Sequence, residues 1–490
     1  MAIADYNQAI HLNPDYADAF YNRGVAHDHK GQKDLAIADY TQALRIKPDY
    51  ANAFTNRGNA YDTQGKYDLA IKDYSEAIRI EPTDPDNFIN RGLSYRKQGK
   101  FDIAIADENE AIRLDPDSNL AFDNRGQIYA QEKQYNLAIK DYSEAIRIQP
   151  NDASYFNNRA VSFENKRELD LAIADENEAI RLDPNHDIAY YGRGNIYSDK
   201  KEYDLAIKDY SEAIRIQPND PKYFNNRGLS YKEKGEFDSA LEDYNQAIRL
   251  DPDFNSAYNN RGNVYYKEKE YELAIKDYSE AIRIQPKEAL YFEVRAASFL
   301  RKEEFELAIT DANQAIRLDP KYANAFRTRG EVFSDEGHFD RAIADSSKEI
   351  HLEPKNELSW NDRCWYRAIA GKYRSAIKDC NRSLALKKDN ENTLDSRGFT
   401  YLKMAKFSHS IADYNAALAL NSNLASSLFG RGLAEQESNA AQSKADIATA
   451  LTIDPKMADN FIKWGYPPAP RKGVSGLLHR WWARISRKNG

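Results

Sequence analysis

Two histidines two residues apart, His27 and His29, two cysteines, Cys364 and Cys380, adjacent carboxylates such as Asp107 and Glu108, and a cluster of Gly58, Gly65 and Lys66 are the residues whose types and spacing invite a chemical reading. They point respectively to metal ligation, thiol chemistry, acid–base catalysis and phosphate binding. A phosphate loop needs the spacing G-x-x-x-x-G-K-[ST] after a strand. Here six residues separate the two glycines, and Tyr67 stands where Ser or Thr would hold magnesium. The two histidines, two apart on a helix, face away from each other, and the others are scattered singly, so no metal site is expected. Acidic pairs like Asp107-Glu108 recur as Asp175-Glu176 and have the look of solvated helix faces, not of an acid and a base raised into a cleft. No catalytic constellation survives: the chain reads as a non-enzyme without cofactor or metal.

Composition narrows the partners. Of 490 residues, 30% are charged and 41% hydrophobic, with a mean hydropathy of -0.80, which by itself leans toward a poorly buried chain. A net charge of -8 argues against nucleic acid, whose binding needs a large basic surface. Two cysteines supply no disulfide framework and allow a reducing compartment; the ordinary reading of Cys364 and Cys380 is two small buried apolar side chains that lie close in space. No apolar run reaches the roughly 18 residues of a membrane-spanning helix, and the N-terminus lacks the charged and apolar regions of a secretory signal. A cytoplasmic location is the corresponding expectation.

Periodicity overturns the disordered lean. Eleven prolines, from Pro14 through Pro48 and Pro82 to Pro354, are spaced by 34, and arginine recurs at the same interval thirteen times from Arg23 to Arg431. In residues 51–82, Phe54, Arg57, Gly58 and Tyr61 fall on one face of a first helix, helix A. Gly65 closes it, and Tyr67, Ala70, Ile71, Tyr74, Ala77 and Ile78 form the apolar stripe of a second, helix B, ended by Pro82. The order aromatic, Gly, Tyr, Ala, Tyr, Ala, Pro resembles the tetratricopeptide repeat, roughly over residues 2–455. The resemblance implies an all-α solenoid, a right-handed superhelix of about 13 helix-turn-helix repeats after an N-terminal half repeat. Small residues at Gly58, Ala70 and Ala77 then allow close approach, so thin cores account for the low hydropathy.

The expected organisation is a half repeat at 1–16, regular repeats at 17–354, divergent and capping repeats at 355–455, a cap segment at 456–466, a Pro/Gly linker at 467–476 and a basic amphipathic tail at 477–490. A second period of 68, with IKDYSEAIRI starting at Ile71, Ile139, Ile207 and Ile275, suggests growth by duplicated pairs. The chain starts in mid-repeat: either it is a fragment, or its first helix leaves Ile3, Tyr6 and Ile10 exposed, where self-association would cover them.

Two ladders run along the repeats. Where the family pattern has an aliphatic residue before the helix-A glycine, this chain has Arg in every copy, including Arg57, Arg91 and Arg125, and helix B carries Asp at matching places, including Asp73, Asp107 and Asp141. These are read as structural Arg–Asp partners that set repeat register. Arg125→Leu is expected to leave the fold intact or to stabilise it, and Asp141→Ala to destabilise by stranding a charge. Just before the arginines stand Asn22, Asn56, Asn90, Asn124, Asn158, Asn226 and Asn260. The position resembles the asparagine ladder of O-linked N-acetylglucosamine transferase, which implies amides gripping an extended peptide backbone. An amide offers two donors and an acceptor, and helices about 8 to 10 Å apart would let successive amides engage a chain about every three residues. Asn is equally an ordinary polar choice on an exposed helix face. Residues one place earlier, Asn157, Tyr191, Asn225 and Asn259, would line the same groove. No set of Lys and Arg forms the carboxylate clamp of chaperone-binding relatives.

Residues 471–490 carry six cations and no acid, leaving a charge of -14 on the rest. On a helix, Leu478, Trp481, Trp482 and Ile485 would share one side, with Arg480, Arg484 and Arg487 around the other. A solvated tail, docking of Trp481, Trp482, Arg480 and Arg484 on an anionic membrane or a partner, and docking on the acidic solenoid all remain open. The functional expectation is a non-catalytic scaffold that binds protein or peptide segments in its groove. The alternative is the substrate-recognition arm of a protein-modifying enzyme, such as a glycosyltransferase, with its catalytic domain outside this chain.

Overall fold

The computed structural model describes residues 2–436 and 439–466, and among these it contains twenty-eight α-helices, α1–α28, and no strand. After α1 (Ala2–Leu12), thirteen antiparallel pairs follow from α2 (Ala17–His29) onward, and α28 (Met457–Lys463) ends the array. The chain divides into two compact units, residues 1–252 and 253–490. In each, neighbouring pairs stack, and first helices of successive pairs also touch one another, so they share one face of the stack.

The pair α4 (Ala51–Thr63) and α5 (Tyr67–Ile80) shows how the sequence builds the unit. Ala53, Gly58 and Ala60 of the first helix and Ala70, Tyr74 and Ala77 of the second are buried. A Cβ added at Gly58 would lie 2.7 Å from Cε1 of Tyr74, so the tyrosine ring fills the space a side chain would take. The Tyr74 hydroxyl reaches the surface of the first helix and donates to Asn59 Oδ1 at 2.7 Å. Fitting a glycine to a tyrosine, as also at Gly24, Gly126, Gly194, Gly228, Gly262 and Gly398, makes a well-packed core from few apolar atoms.

Between the two helices the chain turns through a left-handed residue, Gly65 at φ +73°, whose N–H bonds to Asp62 O. At the same turn other pairs use Lys133, Arg167, Lys201, Lys269, Glu303 and Ala405, all near φ +60°. An L side chain pays about 1 kcal/mol there. Lys133→Gly is therefore expected to raise stability by up to about 0.5 kcal/mol, since the relief of strain exceeds the added freedom of the unfolded chain; hydrogen exchange of the amides of residues 119–148 showing a loss of protection would contradict this.

Three sequence expectations change. Asp107 and Glu108 are not on a solvated face: they are 5% and 0% exposed. Glu108 occupies the tyrosine slot of its pair and lies against Gly92, where a Cβ would come within 2.9 Å of its Oε1. Cys364 and Cys380 take the glycine and tyrosine slots of their pair, and their sulfurs are joined in a disulfide. The pair is thus bonded and not two free thiols. Ile3, Tyr6 and Ile10 are partly covered, because α1 packs on α2, while Leu12 stays 76% exposed. Among the described residues, no helix is long and apolar enough to cross a membrane.

Candidate functional site

The arginines at the recurring first-helix position each form a bidentate ion pair within their own helix pair. Arg57 donates from Nε and Nη2 to the two oxygens of Asp73 at 2.7 and 2.8 Å. Arg91 does the same to Asp107 and Arg125 to Asp141. The arrangement holds in all thirteen pairs, through Arg431 and Asp446. The remaining nitrogen reaches back one pair: Nη1 of Arg57 donates to Thr41 Oγ1, of Arg91 to Ser75 and of Arg159 to Ser143. The guanidiniums of Arg57, Arg91 and Arg159 thus tie their own two helices to the second helix before them, while their faces lie over the aromatic ring three residues earlier, 5.6 Å from the Phe54 centroid for Arg57. The third partner has a sequence signal that went unread, since Asn7, Thr41, Ser75, Asn109 and Ser143 all stand 16 residues before an arginine.

The asparagines beside these arginines, Asn22, Asn56, Asn90, Asn124, Asn158, Asn226 and Asn260, are partly buried, not freely exposed. Several bond to the preceding first helix. Asn56 Nδ2 donates to the Tyr21 hydroxyl at 3.0 Å, Asn158 to Asp123 Oδ1 at 3.0 Å and Asn226 to the Tyr191 hydroxyl at 2.9 Å. Asn226 also donates to Asn195 and accepts from Asn225. The same link is made by Thr328 to Glu293 in the second unit. Asn157 is buried and donates to Glu176 instead of facing solvent.

Along the first-helix face of the second unit, amides give way to carboxylates. Glu293 lies on α18 (Ala289–Arg301), Glu331 and Asp335 on α20 (Ala323–Asp335), and Asp362 on α22 (Glu357–Ile369). Arg301 Nη2 lies 3.2 Å from Glu331, and Arg327 donates to Glu349 at 2.7 Å. Burial raises the pKa of each of these acids, and for Asp362 it combines with Glu349 and Glu331 to push the carboxyl up to about 7. Farther along, the face becomes apolar, with Trp365, Phe399 and Leu433 under the C-terminal segment. Trp464 stacks edge-on to Trp365 at 4.8 Å between centroids, and Phe461 lies 5.5 Å from Phe399 and 4.8 Å from Phe429. Lys403 donates to the carbonyl oxygens of Trp464 and Gly465 at 3.0 and 2.6 Å. Trp481, Trp482, Arg480 and Arg484 lie outside the described residues. Among those described, no group of His, Cys, Asp and Glu is placed to hold a metal ion.

A family model described as TPR repeat matches residues 1–28, 126–166, 194–235 and 228–269. Two models described as Tetratricopeptide repeat match 17–50, 51–84 and 256–288, and 85–118. Together they cover about half of the chain, which belongs to the tetratricopeptide-repeat family. No curated protein sequence matches it. Among solved structures, one from the Cut9–Hcn1 hetero-tetramer of APC/C is similar at 15% identity over 86% of this chain and 96% of its own, with a TM-score of 0.47. Yeast Tom70 is similar at 17% identity over 85% of this chain and 100% of its own, TM-score 0.39. YrrB, described as a TPR protein with an unusual peptide-binding site, is similar at 22% over 38% of this chain and 95% of its own, TM-score 0.32. These likenesses concern the repeat fold alone.

Proposed function

We propose that the chain is a non-catalytic scaffold that holds an extended protein segment along the first-helix face, with the asparagines of the first unit as its main grip. One observation carries this reading: Asn56 and Asn158 are partly buried amides whose side chains are fixed by a bond to the neighbouring pair. An amide has two donors and an acceptor, more than that one bond uses, so a held amide can still meet a peptide N–H or C=O. Fixing it beforehand lowers the entropy lost on binding. Backbone contacts do not read side chains, so the grip tolerates many sequences. Asn226, which bonds to three neighbours, contributes less to it.

Panning a random peptide library on the intact chain tests the proposal. A variant with Asn56, Asn90, Asn124 and Asn158 changed to Ala, with unchanged helicity, is expected to lose enrichment by about tenfold or more, since each backbone hydrogen bond adds about 0.5–1 kcal/mol. Equal enrichment by both proteins would remove these amides from the binding surface.

A further inference from the structure

The C-terminal segment does not simply end the array; it folds back along the first-helix face. Its ring contacts progress from Phe429 on α26 (Ala425–Ala434), through Phe399 on α24 (Glu391–Lys403), to Trp365 on α22, so the path runs toward earlier repeats. The buried Lys403 ammonium holds the carbonyls at 464 and 465, and Tyr466, the last described residue, is 6% exposed. Burial raises the pKa of the Asp335 carboxyl, at the end of α20, and the positive charge of Lys463 offsets part of that rise. The chain is thus delivered to the border of the acidic stretch formed by Glu293, Glu331, Asp335 and Asp362, where Arg301 and Arg327 leave the negative charge in surplus. The residues that follow carry six cations and no acid.

We propose that residues 471–490 dock in cis on the acidic first-helix face of α18, α20 and α22, extending the path that Phe461 and Trp464 begin. Reach is sufficient: the four residues from 467 to 470 span up to roughly 13 Å when extended, against first helices about 10 Å apart. Because the tail is tethered beside its site, a weak charge-driven contact is held at a high effective concentration. The six cations meet a stretch in which acids outnumber Arg301 and Arg327. The docking does not rest on the proposed function above, and its test reads no partner.

The test uses the full chain with Ser475→Cys as its accessible thiol, since both native cysteines are buried and bonded to each other. A benzophenone maleimide is attached there, photolysed, and the cross-links mapped by mass spectrometry. Cross-links within one molecule to 289–301, 323–335 and 357–369 are expected, falling about tenfold at 1 M salt, where the screening length is only about 3 Å. Asp335→Lys, at the end of α20, and Glu331→Gln, which preserves shape, are expected to reduce them with helicity unchanged. Cross-links scattered over the surface, formed only between molecules, or indifferent to salt and to both substitutions would overturn the proposal. So would cross-links absent from these helices in a chain that floats with anionic phosphatidylserine vesicles and stops floating without residues 471–490, because the tail would then be a membrane anchor.

Discussion

Arg125→Leu is expected to destabilise α8 (Asn119–Gln131) and α9 (Tyr135–Ile148) by about 3 kcal/mol, and Asp141→Ala by about 1–2 kcal/mol, an order opposite to the one the sequence suggests. The reason is depth. The Asp141 side chain is 4% exposed and the Arg125 side chain 17%. Removing the arginine strands a carboxylate that water barely reaches. Removing the aspartate leaves a guanidinium that keeps Asn109, the Phe122 face and some solvent. Replacing both with leucine is expected to recover much of the loss, because no unpaired charge remains. Hydrogen exchange of the α8 and α9 amides is the appropriate measurement, since a stack of repeats opens locally and one global unfolding energy would average the effect away. Equal, negligible changes in both single variants would remove the pairs from any role in stability.

Glu108→Gln is expected to stabilise the protein at pH 8 and to have little effect at pH 4. The Glu108 side chain is fully buried. Burial first, and Asp107 next, push its carboxyl up to about 9, while Arg96, Asn124 and Arg125 pull it back in part. The folded protein therefore keeps the proton that the unfolded chain releases near the ordinary value of 4.5. Its contribution to stability is fully present below that value and is lost as pH rises from about 4.5 toward about 9. Glutamine mimics the protonated acid at every pH and removes this slope. Glu176, Asp362 and Asp395 have the same sign, so a shallower decline should persist in the variant. Superimposable melting-temperature profiles for the two proteins would contradict the assignment.

The repeat itself was legible because its signals are local and recur: a proline every 34 residues, a glycine facing a tyrosine, and an arginine 16 residues before an aspartate. Depth was not legible. Asp107-Glu108 and the solvent-facing pairs Glu110–Arg113 sit on the same helix with the same composition, and only the facing glycine of the first helix decides which carboxylate is buried. The cysteines were placed in the right slots, but whether two thiols bond depends on a separation that residue type cannot give. The asparagine row is visible as letters, whereas its bonds to Tyr21, Asp123 and Tyr191 cross between repeats, through residues 35 apart. Within the second unit, the change from carboxylates to aromatic residues along the first-helix face is likewise hidden until the helices are stacked.

The most direct test of the account is a lysate capture, read by mass spectrometry, that compares the intact chain with the variant in which Asn56, Asn90, Asn124 and Asn158 are alanine, after equal helicity has been established. Loss of the captured partners is the predicted result and would place binding on the first-helix face of the first unit. Retention of the same partners at full yield would contradict it, leaving the amides a purely structural link between repeats and moving the search to the second helices.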